Sequence, residues 1–510
     1  MPLARFFQRH GWLVAIAAAY LYVFPYYPRL RSANELPRAY QVMAIADDHT
    51  FAIDRGVREY GPTSDLALRE GHYYPNKAPG ASLVVVPFYL AVEAVAGRPS
   101  LAATMWLSRV VTGVIPSLAF LVLLWGFLGR IAPDERTRRL VLVAYALGSM
   151  ALPYSLLFFS HQLSAVCIAS AWILAGDVAA HRRGLGAMAA AGLLAGMAPL
   201  VDYQTAFIGV PLAIHVIWQL RAWPRRELAR AIAIAVATAA APIAILLAYH
   251  AACFGSPLST GYNYATTYAT DHDHGLLGMT VPTARAFVGV TVAPDNGFFA
   301  LAPWWLLAIP GGVVLWRRGE RALVATCASV AAIFFYFVSS LGFWRAGWEV
   351  GPRYIVALQP FLLPLVAAAL ASWQGRPRLL GAAAGLVLAG VAIYVLAVAT
   401  LPYWPDAVDG GRVALRDPLY EVAFRLLRDG AFAPNLGHAL GLPALAGIAP
   451  FALGAVGLAA WAIARVATVR GLALAVAVAA LVLAAFAAVP RTGPAAERAY
   501  AQTLYPAVTR

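Results

Sequence analysis

Lysine is nearly absent from this chain. Of its 38 basic residues only Lys77 is a lysine; the rest are arginines. Charge of either sign is scarce, with 12% of the 510 residues charged and 61% hydrophobic. A water-soluble protein of this length cannot bury that much apolar surface, which excludes a soluble fold. Cysteine is scarce as well. Cys167, Cys253 and Cys327 lie in or beside apolar segments without metal-like spacing, and they read as small packing residues. The chain shows no internal repeat, no Ser/Gly linker and no nucleotide-binding glycine loop, and no soluble domain is expected because the stretch after Pro490 is short.

What the chain has instead is a series of apolar runs of about 20 residues, the length that crosses a bilayer as a helix. They fall at 11–26, 104–129, 138–153, 157–179, 185–201, 203–220, 229–251, 297–315, 321–342, 353–372, 379–400, 443–464 and 471–489. The expected fold is therefore all-α: a polytopic integral membrane protein with about 13 transmembrane helices over residues 1–490, followed by a short outer tail at 491–510. A barrel would need short alternating segments instead. Arg5 and Arg9 precede the first run, and Pro25-Tyr26-Tyr27-Pro28 follows it in place of a small-residue cleavage site, so it reads as an uncleaved helix with its N-terminus inside.

The net charge of +14 would suggest nucleic acid in a soluble protein. Here topology accounts for it, because the arginines cluster in alternate connections and basic loops stay cytoplasmic. The clusters are Arg130 with Arg136, Arg138 and Arg139; Arg182-Arg183; Arg221 with Arg225 and Arg226; Arg317-Arg318; Arg376 with Arg378; and Arg465 with Arg470. All can be cytoplasmic at once if 26–78, 252–296, 343–352, 402–442 and the tail face out. One stretch breaks the parity. Residues 79–97 are apolar enough to span, but Pro79, Pro87 and Glu93 weaken them, and a re-entrant or interfacial helix is the favoured reading. Within 402–442, Leu419 to Leu427 has an amphipathic pattern suited to the membrane surface.

The concentrated chemistry lies in the outer loop 27–78. Residues 33–46 have helical character, with Asn34 a suitable N-cap and Pro37 in the first turn. Glu35 and Arg38 are three apart and share a face, as a surface salt bridge or as a base beside a phosphate-binding arginine. Asp47-Asp48 closes that helix, where carboxylates oppose the macrodipole; a solvated turn and a metal or acceptor site are both open. Lys77 opens the next apolar stretch, where it can snorkel or neutralise a lipid phosphate. Between two later helices lie Trp344, Arg345, Trp348, Glu349 and Arg353, whose outward arginines run against the charge rule and point to a phosphate or sugar ligand. His161 near the outer end of its helix can line the same cavity, His215 mid-helix reads as a satisfied core histidine, and Asp202 with Tyr203 as a solvated turn. Charges otherwise sit mainly in loops. The run Asp271-His272-Asp273-His274 has metal-donor chemistry, although four consecutive residues cannot all reach one ion. No metal ligand is assigned on that basis, and a divalent metal stays an open option.

Glu35-Leu36-Pro37-Arg38-Ala39-Tyr40 resembles the acidic motif of the first outer loop in GT-C membrane glycosyltransferases of glycosyltransferase family 39, which includes protein O-mannosyltransferases and aminoarabinose transferases. Lys77-Ala78-Pro79-Gly80 resembles that family's Lys-Pro-Pro-Leu element. Phe159-Ser160-His161, Phe254 to Leu258 and Gly351-Pro352-Arg353-Tyr354 resemble pieces of bacterial phospholipid carrier-dependent members. The departures are a glutamate at the position of the family's catalytic aspartate and a leucine at position 36; in the other alignment Asn34 takes the base position. The resemblance implies an inverting transfer of a sugar from a polyprenyl-phosphate donor to an acceptor hydroxyl, on the outer (periplasmic) face of a bacterial inner membrane. It implies Glu35 as the catalytic base, with Arg38, Lys77 and Arg353 binding the donor phosphate. Asp47, Asp48, His161, Trp348 and Glu349 stand as possible substrate or acceptor contacts. The partners it implies are the polyprenyl-phosphate-linked sugar, a lipid, glycan or protein acceptor, and membrane lipids, with no nucleic acid. The competing readings are a lipid-linked saccharide flippase or other transporter, which should carry polar residues at mid-membrane depth, and a glycan polymerase or ligase.

Overall fold

The computed structural model describes residues 2–23, 32–267, 275 and 277–504. The Asp271-His272-Asp273-His274 run lies outside the described residues, as do residues 27–31 of the first outer loop. The chain is a helical membrane bundle. Among the described residues, eight helices are long and apolar enough to cross a membrane, and helices Gly80–Ala96 and Leu185–Val201 are shorter apolar ones. Helical segments occur at each of the thirteen apolar runs, several of them short or broken by proline and 3₁₀ turns.

The bundle is layered by burial. Helix α9 (Ser160–Ala179) and the helical segment Arg353–Ser372 lie inside, with 83% and 89% of their most apolar windows buried. Arg225–Phe254 and Val469–Ala487 form the rim, at 17% and 22%. Their outward apolar side chains are the surface that a hydrocarbon solvent requires.

Contacts among connections fix the two ends of the bundle. Asp177, near the C-terminus of α9, accepts from Arg182 (3.2 Å), Arg183 (3.3 Å) and Arg130. Trp223 Nε1 donates to the Ala179 carbonyl (3.2 Å), and Gln374 Nε2 to the Thr137 hydroxyl (3.3 Å). Arg139 and Arg465 both lie over the Trp461 ring. Five of the arginine-bearing connections therefore share one end. Ser160 starts α9 at the opposite end, 17 residues from Asp177, or roughly 25 Å at the α-helical rise, close to a hydrocarbon thickness.

That opposite end carries the polar loop between the first helix and residue 79. Helix α2 (Leu36–Asp47) has Pro37 in its first turn, where a missing N–H leaves no bond unmade. Its N-cap is Glu35, without a side-chain cap bond; Asn34, the expected cap, is used elsewhere. A hairpin follows, β1 (Leu66–Arg69) with β2 (His72–Pro75), in antiparallel register Leu66 to Pro75. Glu70 and Gly71 both take positive φ, as a two-residue turn that matches strand twist demands. The register sets Asp65 opposite Asn76, whose N–H donates to the Asp65 carbonyl (3.3 Å). Helix α4 (Gly80–Ala96) then packs against α2. Asp47 at the end of α2 pairs with Arg98 just beyond α4 (2.5 Å), so the two helices end side by side. From there the single long helix Leu101–Leu128 reaches Arg130 at the arginine-rich end.

Candidate functional site

Burial sorts the polar loop into two groups. Glu35 is fully buried and forms a two-pronged pair with Arg109 (Nε to Oε1 2.8 Å, Nη2 to Oε2 2.9 Å). The Phe158 N–H donates to Oε1 (2.6 Å), and the Tyr403 hydroxyl donates to Oε2. Both oxygens are thus occupied. Burial pushes the Glu35 carboxyl up, but the Arg109 guanidinium, with the Tyr403 and Phe158 donors, holds it below the ordinary glutamate value. This carboxylate ties the start of α2 to the helix Leu101–Arg109, to the turn before α9, and to the outer loop at Tyr403. The surface salt bridge expected between Glu35 and Arg38 does not form.

The second group surrounds a cavity at the end of the bundle opposite the arginine-rich one. Its walls include Arg38, Lys77, His161, Asp202, Tyr262 and Arg353. Arg38 is locked in place: Nη1 donates to the Asn34 carbonyl (2.5 Å) and to the Asn34 side-chain oxygen, and Nη2 to the Ser160 hydroxyl (3.1 Å). Its buried Nε has no partner. Lys77 lies 3.3 Å from Asp65 and 5.2 Å from the Tyr262 ring centre. The hairpin register supplies Asp65, and Gly261 lets the Tyr262 segment approach: a Cβ there would meet Asn76 Cα at 2.7 Å. Burial, opposed by Asp65 and reinforced by Arg353 and Arg38, lowers the Lys77 ammonium to about 8. Arg353 comes from a third segment, 3.3 Å from Glu349 and over the rings of Phe159 and Tyr354. Three cations from three distant segments thus face one space. The enclosed part of that space is about 50 Å³, below the roughly 300 Å³ of ordinary ligand pockets. Leu277, Leu341 and Phe343 contribute apolar lining to it.

Of the residues expected from sequence, Arg38, Lys77, Arg353 and His161 line this cavity, and Glu35, Asp47, Asp48, Trp348 and Glu349 do not. Asp47 and Asp48 form a surface cluster with Arg55 and Arg98, so they clamp α2 to the loop that follows and to the end of α4. Trp348 is partly exposed, and Glu349 is buried behind Arg353. Burial raises the Glu349 carboxyl well above its ordinary value. Arg345 pairs with Asp295 away from the cavity. His215 bonds to Thr326 and to Gln219 (2.7 Å), a satisfied core histidine as read. Asp202 is not a solvated turn; it pairs with His161 (2.7 Å).

Sequence reading missed Arg109, Asp65 and Tyr403, and named Ser160 only within the Phe159-Ser160-His161 element, without a role. Arg109 carried a signal: an arginine inside the apolar run 104–129 has to find an acid, although the sequence alone does not say that the acid is Glu35. The description of the charges as confined mainly to loops is corrected by Arg109 and Asp177, both within membrane-length helices.

No protein-family model matches the chain, and no curated protein does. Among solved structures it is similar to ArnT from Cupriavidus metallidurans bound to undecaprenyl phosphate, at 16% identity over 92% of this chain and 78% of that one, TM-score 0.47. It is also similar to the archaeal oligosaccharyltransferase AglB from Archaeoglobus fulgidus in complex with an inhibitory peptide and a dolichol-phosphate (13%, 89% and 56%, 0.45). A third is the arabinosyltransferase EmbB from Mycobacterium smegmatis (12%, 94% and 42%, 0.44).

Proposed function

We propose that this protein is a GT-C-like membrane glycosyltransferase that moves a sugar from a polyprenyl-phosphate donor to an acceptor hydroxyl. The observation that carries this reading is the convergence of Arg38, Lys77 and Arg353 on one cavity, whose lining includes a single acid, Asp202. A phosphomonoester leaving group gains charge as its bond to the anomeric carbon breaks, and preorganised cations in a water-poor site stabilise that charge. A lipid-borne phosphate suits the position, at an end of a membrane bundle. Clustering of five arginine-bearing connections at the other end supports an outward-facing cavity through the positive-inside rule. Glu35, with both oxygens taken, serves in this scheme as the anchor that positions Asn34 and Arg38.

Buried charge in the spans does not favour the transporter reading. Arg109 and Asp177 are each neutralised by fixed partners, Glu35 and Arg130, rather than left to a passing ligand. The test is a lipid-linked-sugar profile after deletion of the protein. The enzyme reading expects a polyprenyl-monophosphate sugar to accumulate and a glycosylated product to disappear. A donor that accumulates only on the inner leaflet would show a flippase, and a diphosphate-linked one would show a polymerase or ligase.

A further inference from the structure

Within that reading, the base of the transfer is a separate question, because the carboxylate expected to serve has no free oxygen. Around the cavity, Lys77 is held cationic beside Asp65, and Asp202 is engaged by two donors. His161 is different. It sits in the first turn of α9 with its side chain 5% exposed. Its Nδ1 lies 2.7 Å from Asp202 Oδ2, and Gln204 Nε2 donates to the same oxygen (3.0 Å). Its Nε2 is buried on the cavity wall and has no hydrogen-bond partner. A buried ring nitrogen left unpaired is costly unless a ligand completes it. With Nδ1–H donating to Asp202, Nε2 presents its lone pair, the tautomer that a base needs.

We infer that His161 is the general base for sugar transfer and that Asp202 is its positioning residue. This rests on the glycosyltransferase reading. The acceptor hydroxyl gives its proton to His161 Nε2 while its oxygen bonds to the anomeric carbon. The bond from that carbon to the phosphate oxygen breaks, and the polyprenyl phosphate departs with the electron pair against Arg38, Lys77 and Arg353. Asp202 holds the imidazolium that forms.

The test complements a deletion strain with wild type, His161→Gln and Asp202→Asn, and follows conversion of the lipid-linked sugar. In parallel, binding of undecaprenyl phosphate to each purified protein is measured in nanodiscs. The expected result for His161→Gln is a rate loss of about 10² to 10⁴ with undecaprenyl phosphate affinity unchanged. Asp202→Asn should lose rate less severely, again at unchanged affinity. Should His161→Gln fail to fold, Asp202→Asn carries the test: a rate loss at unchanged undecaprenyl phosphate affinity is expected, and wild-type turnover overturns the inference. Wild-type turnover by His161→Gln overturns the inference while the glycosyltransferase reading stands. So does a loss of undecaprenyl phosphate affinity, which would make His161 a phosphate ligand. A deletion strain with an unaltered lipid-linked-sugar profile overturns the underlying reading instead, and the inference with it.

Discussion

Glu35 and Arg109 neutralise each other where neither touches water, so removing one leaves the other charged and buried. Arg109→Leu should cost about 3–5 kcal/mol of stability, seen as a large drop in the thermal unfolding midpoint. Glu35→Gln should be destabilised in the same direction, and whatever protein remains folded should retain undecaprenyl phosphate binding. Lys77 gives a pH signature. In the folded protein its ammonium loses its proton near pH 8, against about 10.5 for an ordinary lysine. Anion affinity should therefore fall as pH rises through about 8, and the step should vanish in Lys77→Arg. The stability consequence has the opposite sign. The folded state gives up this proton first, so the penalty of burying the charge is relieved between about pH 8 and 10.5. These residues were partly legible. Lys77 stood out as the only lysine, Arg38 by its spacing from Glu35, and Arg353 as an arginine in a connection expected to face outward, against the charge rule. Asp65 and Asp202 did not stand out, since an acid in a loop looks solvated until the fold supplies its partner.

At the scale of elements, the cavity depends on close backbone approaches. Gly80 opens α4 against the C-terminal turn of helix Leu185–Val201, and a Cβ there would meet the Leu200 carbonyl oxygen at 2.6 Å. Gly80→Ala should push the Lys77-Ala78 segment off Val201 and Asp202. The expected cost is about 1–3 kcal/mol of stability, with a matching loss of undecaprenyl phosphate affinity, read by thermal unfolding and binding on the same preparation. The helices themselves were legible because each is an apolar run long enough to see against polar connections. The hairpin of β1 and β2 was not. Four residues per strand, with a mixed polar pattern, give no periodicity to read, yet its register sets Asp65 against Lys77. The 79–97 stretch was read as a re-entrant or interfacial helix, and α4 lies beside the short helix α2 with the two ends joined through Asp47 and Arg98.

For the whole molecule, the arginine clusters forecast a shared end, and the packing of Arg130, Arg182 and Arg183 on Asp177 brings two of them together. The three native cysteines are buried, so single introduced cysteines can be labelled against a low background. Leu258→Cys should react with an impermeant maleimide on intact cells, and Arg182→Cys only after permeabilisation. The reverse pattern would turn the cavity inward. The claim beneath all of this is that three convergent cations hold a lipid-borne phosphate. It is tested most directly by equilibrium binding of undecaprenyl phosphate to the protein in nanodiscs, comparing wild type with Lys77→Met and Arg353→Gln. Saturable binding to wild type, weakened about tenfold or more by each substitution, is the predicted result. Absence of saturable binding, or an affinity indifferent to both substitutions, would contradict it.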